Sequence, residues 1–333
     1  MKKWINEILE KREVAVLPIM THPGIELIGE TVKQAVIDGN VHYKAIQAVS
    51  EYYYTSSCTV IMDLTVEAEA FGAEIRFPED EVPTVIGRLV TDMESIDRLQ
   101  VPNLNVGRIP EYLKANELAV RHIEDKPIFS GCIGPYSLAG RLYDMSEIMV
   151  AIYIEPDMIL KLLSKCTEFL IHYCNALKKL GTAGIVIAEP AAGLLSNEDC
   201  LIYSTNFVKR IVDVVQDDDF TVILHNCGNT GQCTQAMIKS GAHALHFGNK
   251  IDMANVIKEC PPNVLVMGNI DPVSVLKQGD RQLVMRETTR LLESMYMYPN
   301  FVISTGCDVP PLVPEDNIRA FFETIHTFNS ERI

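Results

Sequence analysis

Eight short, almost continuously apolar runs recur along the chain, and they limit its fold more than any other feature. Each run is rich in β-branched residues and is followed by a polar residue or a turn. The runs span residues 14–20, 58–64, 128–133, 184–189, 221–226, 242–247, 264–268 and 301–305. Continuous rather than alternating hydrophobicity is typical of strands buried on both faces of a parallel sheet.

Segments with helical periodicity separate these runs. The clearest span residues 45–54, 155–180, 206–216, 230–239 and 282–297. Eight strands that alternate with helices predict an α/β fold, and specifically a (β/α)8 TIM barrel. The charged, amphipathic N-terminal segment is expected to form a helical extension before the first strand.

Two connections are much longer than a barrel needs. Residues 65–127 contain several prolines and glycines, which predicts short strands and helices in a long insertion at the barrel mouth. The segment 134–183 is expected to hold two helices, one opening near Ser146 and one after Pro156. No linker divides the chain, so residues 1–333 are predicted to form a single domain.

Charge and cysteine content narrow the possible partners and location. A net charge of -15 argues against nucleic acid or an anionic membrane as the main partner. No stretch approaches the roughly 18 apolar residues of a membrane span. Nine cysteines, an odd number without a signal peptide, predict reduced thiols and a cytoplasmic location. The oligomeric state is not predicted.

Three residues at the ends of predicted strands form a candidate metal site. His225 and Cys227 end the fifth run, and Cys307 follows the eighth. Two sulfur donors and an imidazole suit Zn²⁺, and three protein ligands leave a coordination position open for chemistry. The gap of 307 − 227 = 80 positions argues against a compact structural zinc module. The alternative is a core histidine with cysteines as filler, and the third ligand at a matching strand end weighs against it.

Further polar residues lie at the same strand ends, where TIM barrels carry their active sites. Asp63, Glu189 and His246 are the predicted catalytic residues. Glu189 either orients a substrate or a ligand, or caps the helix that follows it. His246 either supports a metal ligand or is a fourth ligand. Cofactor binding is predicted at three more residues: Gly134, Tyr136 and Asn269.

Several motifs resemble the uroporphyrinogen decarboxylase superfamily. Within it, they are most similar to the zinc-dependent corrinoid methyltransferases, including the methylcobalamin:coenzyme M methyltransferases. The motifs are Ile133-Gly-Pro-Tyr-Ser-Leu-Ala139, Glu189-Pro190, Leu224-His-Asn-Cys-Gly-Asn-Thr230, Met267-Gly-Asn-Ile-Asp-Pro272 and Ser304-Thr-Gly-Cys-Asp-Val-Pro310. They run in the family's order from the third strand to the C-terminal part of the chain.

The resemblance implies a TIM barrel in which His225, Cys227 and Cys307 bind zinc. The metal would activate a small-molecule thiol, which takes a methyl group from a methylcobalamin-type corrinoid. The chain lacks an Asp-x-His-x-x-Gly corrinoid motif, so the corrinoid is expected on a separate partner protein. The family often has an acid near the end of the sixth strand. Here residues 245–249 contain none, which leaves His246 or solvent as the fourth ligand.

Other functions remain compatible with these residues. The protein could work in reverse, demethylating a methoxylated or methylated donor and loading the corrinoid protein. It could instead take the methyl group from a folate, as cobalamin-independent methionine synthases do. Uroporphyrinogen decarboxylase itself is disfavoured because no arginine occurs between residues 13 and 71, where that family binds its polyanionic substrate. A non-enzymatic binding module with a structural zinc is the last alternative.

Overall fold

Parallel pairing joins eight strands into one sheet, in the order β1-β10-β9-β8-β7-β6-β5-β2. The computed structural model describes residues 3–332. The strands are β1 (Ala15–Val16), β2 (Cys58–Thr59), β3 (Glu74–Arg76), β4 (Thr84–Ile86), β5 (Ile128–Ile133), β6 (Gly184–Ala188), β7 (Thr221–Asn226), β8 (Ala244–Phe247), β9 (Leu265–Ile270) and β10 (Phe301–Thr305). Helices connect successive strands of the sheet, and the predicted α/β barrel architecture is confirmed.

Sixteen α-helices are found among residues 3–332. They are α1 (Lys3–Glu10), α2 (Thr21–Leu27), α3 (Val32–Ile37), α4 (Gly39–Tyr52), α5 (Val66–Phe71), α6 (Met93–Arg98), α7 (Ile109–His122), α8 (Pro135–Tyr143), α9 (Met145–Ile154), α10 (Pro156–Lys179), α11 (Asn197–Cys200), α12 (Asn206–Val215), α13 (Thr234–Lys239), α14 (Met253–Glu259), α15 (Arg281–Met295) and α16 (Glu315–Ser330). A 3₁₀ helix spans Pro190–Leu194, and π-helical turns span Leu201–Thr205 and Pro272–Lys277. None of these helices is long and apolar enough to cross a membrane.

The first two strands are shorter than the apolar runs that predicted them. β1 and β2 are the ends of the strand order, so each has a ladder partner on one side only. Two hydrogen bonds bridge them: the Ser56 N–H donates to the Val16 carbonyl at 2.8 Å, and the Val16 N–H donates to Ser56 Oγ at 3.0 Å. Ser56 therefore links the two edges of the curled sheet through hydrogen bonds, in place of a strand ladder.

The N-terminal helix α1 packs against the side chains inside the barrel. Its buried Trp4 and Ile5 belong to one apolar cluster with Phe129, Val186 and Ile223, which come from successive strands. The ring centroids of Trp4 and Phe129 lie 4.6 Å apart. The predicted N-terminal extension therefore packs into the interior instead of projecting from the barrel.

The long insertions are confirmed, with one more helix than expected. The first insertion contains α5, the antiparallel β3–β4 hairpin and α6, before α7 returns to the barrel. The second holds three helices rather than two, because α8 begins directly after β5 with a proline in its first turn. Asp144 then separates α8 from α9, since its side chain accepts hydrogen bonds from Ser146 N and Glu147 N.

The helix expected over residues 230–239 begins later, at Thr234. Residues 228–233 form a turn in which Gly231 has a φ of 120°, a conformation that favours glycine. Side-chain carbonyls hold the N–H groups of this turn: Asn226 Oδ1 accepts from Gly228 and Asn229, and Asn229 Oδ1 accepts from Gly231 and Cys233. The segment therefore forms a strand-to-helix turn.

Candidate metal centre

His225, Cys227 and Cys307 come together at the carboxyl end of the barrel. His225 is the second-last residue of β7, Cys227 follows that strand, and Cys307 lies two residues beyond β10. One potential ligand atom from each residue lies within 4.8 Å of the others. The curl of the sheet therefore brings Cys307 close to Cys227, although eighty positions separate them in the sequence. A cluster of two thiols and one imidazole fits the donor preference of zinc.

A second histidine fixes the orientation of His225. His225 and His246 are register partners on the neighbouring strands β7 and β8. Their Nδ1 atoms lie 2.8 Å apart, and His246 Nε2 lies 2.7 Å from Ser304 Oγ. Burial places the pKa of His246 well below its ordinary value, so its ring is neutral. Among residues 3–332, His246 is outside the three-residue ligand cluster and contacts it through His225.

Two glycines let the ligand-bearing loops approach one another closely. A Cβ atom on Gly248 would lie 2.5 Å from the Cys227 carbonyl oxygen and 2.8 Å from its Cα. A Cβ atom on Gly306 would lie 2.4 Å from the Asn249 backbone nitrogen. Backbone atoms cannot move aside as a flexible side chain can, so only glycine fits at these positions. The loops that follow β8 and β10 therefore pack tightly around both cysteines.

The two thiols influence each other. A hydrogen bond from Cys307 lowers the pKa of the Cys227 thiol, although burial opposes this effect. The same interaction and burial raise the pKa of Cys307. One sulfur of the pair is therefore easier to deprotonate, and a thiolate is the form that binds metals.

A cavity of about 210 Å³ opens onto the three ligand residues. Two charged residues line it, Asp308 and Arg141. The Asp308 side chain accepts a hydrogen bond from the Thr21 N–H at 2.9 Å. Val82, from the loop of the β3–β4 hairpin, lines the same cavity, so the first long insertion reaches the barrel mouth as expected.

Asp63, predicted to be catalytic, lies in an ion-pair network. Its carboxylate pairs with the buried Arg108 guanidinium and also accepts hydrogen bonds from the Thr65 N–H and hydroxyl. Arg108 in turn donates to Glu69 at 2.6 Å and Thr65 at 2.8 Å. Its neighbours Met62, Leu64 and Thr65 line the cavity, but Asp63 itself is not among the lining residues. This environment favours a positioning role for Asp63.

Glu189, also predicted to be catalytic, caps the start of α8. Its carboxylate accepts hydrogen bonds from Tyr136 N at 2.8 Å, Ser137 N at 2.9 Å and Ser137 Oγ at 2.7 Å. Burial raises the pKa of Glu189 to about 7, against the opposing effect of these donors. A Cβ atom on Gly134 would lie 2.2 Å from Glu189 Cγ. Gly134, a predicted cofactor-binding residue, therefore makes room for this carboxylate.

The other two predicted cofactor-binding residues lie apart from the ligand cluster. Tyr136 is fully buried in the apolar core, where its hydroxyl has no hydrogen-bond partner among the described residues. Asn269 lines a different cavity, of about 790 Å³, and donates to the carbonyls of Gly248 and Ile251. Neither residue lines the cavity that contains His225.

Arg141 was not among the candidate site residues predicted from the sequence. Those candidates lie at strand ends, whereas Arg141 lies in the last turn of α8. Nothing in its local sequence distinguishes it from a surface arginine. Only the fold shows that it shares a cavity with the ligand cluster.

Known proteins resemble the chain over 79–98% of its length. A methylcobamide:CoM methyltransferase MtbA from Methanosarcina mazei is 27% identical over 332 residues, with 97% of this chain and 96% of the relative covered. The MtbA of Methanosarcina acetivorans is 29% identical over 277 residues, with 79% and 77% covered. A solved methyltransferase structure from Methanosarcina mazei superposes with a TM-score of 0.89 at 24% identity, covering 98% of both chains.

These comparisons confirm the predicted enzyme class, a methyltransferase, and the structural match confirms the TIM-barrel fold. The family model for uroporphyrinogen decarboxylase (URO-D) matches residues 22–328, from the helix after β1 to the last helix. The chain therefore belongs to the uroporphyrinogen decarboxylase (URO-D) family.

Proposed function

We propose that this protein is a zinc-dependent methyltransferase that moves a methyl group from a corrinoid on a partner protein to a small-molecule thiol. The observation that carries the proposal is the cluster of His225, Cys227 and Cys307, whose ligand atoms lie within 4.8 Å of one another. The names of the Methanosarcina relatives, methylcobamide:CoM methyltransferases, support the corrinoid and the thiol.

His225, Cys227 and Cys307 would hold Zn²⁺ in this proposal. Bound zinc would supply a Lewis acid that favours the thiolate form of a substrate thiol near neutral pH. Cys227 and Cys307 would bind as thiolates, and their negative charge would keep the substrate sulfur nucleophilic. His246 holds the imidazole of His225 at the orientation needed for its Nε2 to face the two thiols.

The substrate thiolate then attacks the methyl carbon of the methylated corrinoid. A carbon–sulfur bond forms as the cobalt–carbon bond breaks, and the electron pair of that bond stays on cobalt. The cavity of about 210 Å³ is below the roughly 300 Å³ at which pockets for drug-sized ligands begin. It suits a small thiol, while a corrinoid would approach from the mouth on its carrier protein.

The polyanion chemistry of a uroporphyrinogen decarboxylase is poorly supported. A substrate with many carboxylates needs several cations around it. Of the described residues that line the cavity beside the ligand cluster, Arg141 is the only lysine or arginine. Membership of the URO-D family is therefore compatible with the proposed methyltransferase function.

We propose that the chain forms a single domain, because the family model matches one uninterrupted stretch from residue 22 to residue 328. We also propose a cytoplasmic enzyme that meets its corrinoid-binding protein there, in keeping with cysteines that form no disulfides.

An assay with methylcobalamin tests this function. The purified, zinc-supplied protein is mixed with methylcobalamin and a panel of thiols, with tetrahydrofolate as a separate acceptor, and the cobalt spectrum is followed. Demethylation with a thiol is expected. Demethylation with tetrahydrofolate alone would overturn the proposed acceptor. A lack of demethylation with every acceptor, combined with methylation of cob(I)alamin by a methoxylated or methylated donor, would reverse the proposed direction.

A further inference from the structure

Cys227 and Cys307 differ from the other cysteines in being open to small molecules. All nine cysteines lie within residues 3–332, and seven of them are buried. Cys227 and Cys307 are partly exposed, and both line the cavity of about 210 Å³. A reagent that enters this cavity from water therefore meets these two thiols before it meets any other cysteine.

The sulfur atoms of these two residues are close enough to react with each other. They lie within 4.8 Å of one another, and the two thiols share a hydrogen bond. A disulfide has a sulfur–sulfur distance of about 2 Å. The remaining approach is short, so side-chain rotation with a small shift of one loop is enough to form the bond.

The fold holds this pair together without a covalent link. A Cβ atom on Gly248 would lie 2.8 Å from Cys227 Cα, and one on Gly306 would lie 2.8 Å from Asn249 Cβ. Contacts this close keep the loops after β7, β8 and β10 next to one another. Each thiol therefore has the other as a neighbour, which makes the second step of a thiol–disulfide exchange intramolecular.

A second pair of thiols provides an internal comparison. Cys200 and Cys233 also share a hydrogen bond, but their side chains are only 1% and 0% exposed. Cys233 Sγ further donates to the carbonyls of Ala192 at 3.5 Å and Leu195 at 3.3 Å. A buried thiol reacts only when the surrounding structure opens. Reaction at Cys227 and Cys307 should therefore precede reaction at this buried pair.

Zinc and a disulfide need the two exposed sulfur atoms in different states. Metal binding needs thiolates about 2.3 Å from the ion, which places the sulfurs roughly 3.8 Å apart in a tetrahedral site. A disulfide removes both thiolates and brings the sulfurs to about 2 Å. The cluster can therefore hold the ion or the disulfide, but not both.

We propose that Cys227 and Cys307 form a reversible disulfide when a small-molecule disulfide reacts with the metal-free protein, and that this bond and zinc exclude each other. One cysteine sulfur attacks the reagent, so a protein–reagent disulfide forms and one small thiol leaves. The other cysteine sulfur then attacks the first, and the second small thiol leaves. The cysteine pair loses two electrons and two protons, which the two released thiols carry.

Thiol counting and peptide mapping test the disulfide. The protein is freed of metal with a chelator, treated without oxygen with bis(2-hydroxyethyl) disulfide, denatured and alkylated. All except two of the nine cysteines should be alkylated, and one linked peptide pair should contain Cys227 and Cys307. Reduction with a phosphine should restore all nine. Cys233→Ser, the control from the buried pair, should form the same bond. Cys307→Ser should instead keep the reagent attached to Cys227.

Metal content tests the exclusion. After dialysis, the oxidised protein should retain less than about a tenth of the zinc of the reduced protein. Zinc bound beforehand should slow disulfide formation about tenfold or more. Nine free thiols after treatment, a disulfide between other cysteines, or equal zinc content in the oxidised and reduced proteins would overturn the inference.

The inference rests on the zinc site of the proposed function and does not depend on methyl transfer. If the reduced, zinc-loaded protein methylates no acceptor but the disulfide forms and excludes zinc, the proposed function fails and the redox switch stands. If methyl transfer to a thiol occurs but Cys227 and Cys307 form no disulfide, the proposed function stands and the redox switch fails.

Discussion

His225 Nδ1 lies 2.8 Å from His246 Nδ1, so two buried rings on neighbouring strands share one hydrogen bond. Only one of the two nitrogens can carry the proton between them. If His225 binds a metal through Nε2, its Nδ1 is the donor and His246 accepts. His246 Nε2 then carries a proton and donates to Ser304 Oγ at 2.7 Å. The chain of three side chains fixes both tautomers at once.

Removing His246 should therefore weaken metal binding without removing a ligand. His246→Leu is expected to reduce zinc affinity about 10- to 100-fold, the usual effect of losing such a supporting hydrogen bond. Competition with a chromophoric chelator measures the affinity. His326→Leu, at an exposed position, is the control. Unchanged affinity in His246→Leu would mean that His225 needs no support from His246.

Close backbone packing behind Cys227 predicts a second effect. A methyl group on Gly248 would lie 2.5 Å from the Cys227 carbonyl oxygen, so Gly248→Ala must shift that loop. We expect a loss of about 1–3 kcal/mol in the free energy of unfolding, as for other overpacked sites. Zinc affinity should fall with it, because a ligand moves. Urea unfolding and the chelator assay check both, and a variant with unaltered affinity would argue against a rigid ligand loop.

The Glu189 carboxylate should contribute mainly to stability. Glu189→Ala leaves three buried donors of Tyr136 and Ser137 without an acceptor, at a cost of about 3 kcal/mol or more in the free energy of unfolding. Glu198→Ala, at an exposed position nearby, should change it by less than about 0.5 kcal/mol. Urea denaturation compares them. A fully stable Glu189→Ala protein that has lost methyl transfer would instead support the catalytic role predicted for Glu189.

Buried Glu67 predicts a pH dependence of stability. Burial raises the pKa of Glu67 to about 8, above the 4.5 of an ordinary glutamate, so the folded protein holds this proton more tightly than the unfolded chain. Its contribution to stability is therefore complete below about pH 4.5 and is lost as the pH rises towards 8.

Glu67→Gln should remove that loss. Relative to the unchanged protein, the variant should gain stability between pH 5 and pH 9, by an amount on the order of a few kcal/mol. Its amide oxygen can still accept the Ile133 N–H that Glu67 accepts at 3.1 Å. Unfolding at several pH values measures the difference, with exposed Glu74→Gln as the control. A stability difference that does not vary with pH would contradict the raised pKa.

Much of the fold could be predicted because buried parallel strands leave a clear pattern in sequence. Continuous apolar runs correctly predicted the positions of all eight barrel strands. The rule that TIM-barrel sites lie at the carboxyl ends of strands predicted that Cys307 lies close to His225. The short ladders of β1 and β2 escaped prediction, since their apolar residues are buried without being paired on both sides.

The site residues that were predicted wrongly or not at all depend on side-chain directions and on partners distant in the sequence. Asp63 follows a strand, as a catalytic acid would, but it pairs with Arg108, which is 45 positions away in the long insertion. Asn269 also ends a strand, yet it lines the larger cavity, of about 790 Å³, outside the ligand cluster. Arg141 enters the ligand cavity from a helix, where no periodicity or spacing marks it.

Zinc stoichiometry tests the central claim most directly. The purified protein, His225→Ala, Cys307→Ala and the control Cys260→Ala are analysed for metal by mass spectrometry after dialysis. Cys260 is buried after α14 and does not belong to the ligand cluster. We predict about one zinc per chain in the unchanged protein and in Cys260→Ala, with far less in the other two variants. One zinc per chain retained by both His225→Ala and Cys307→Ala would contradict the metal centre.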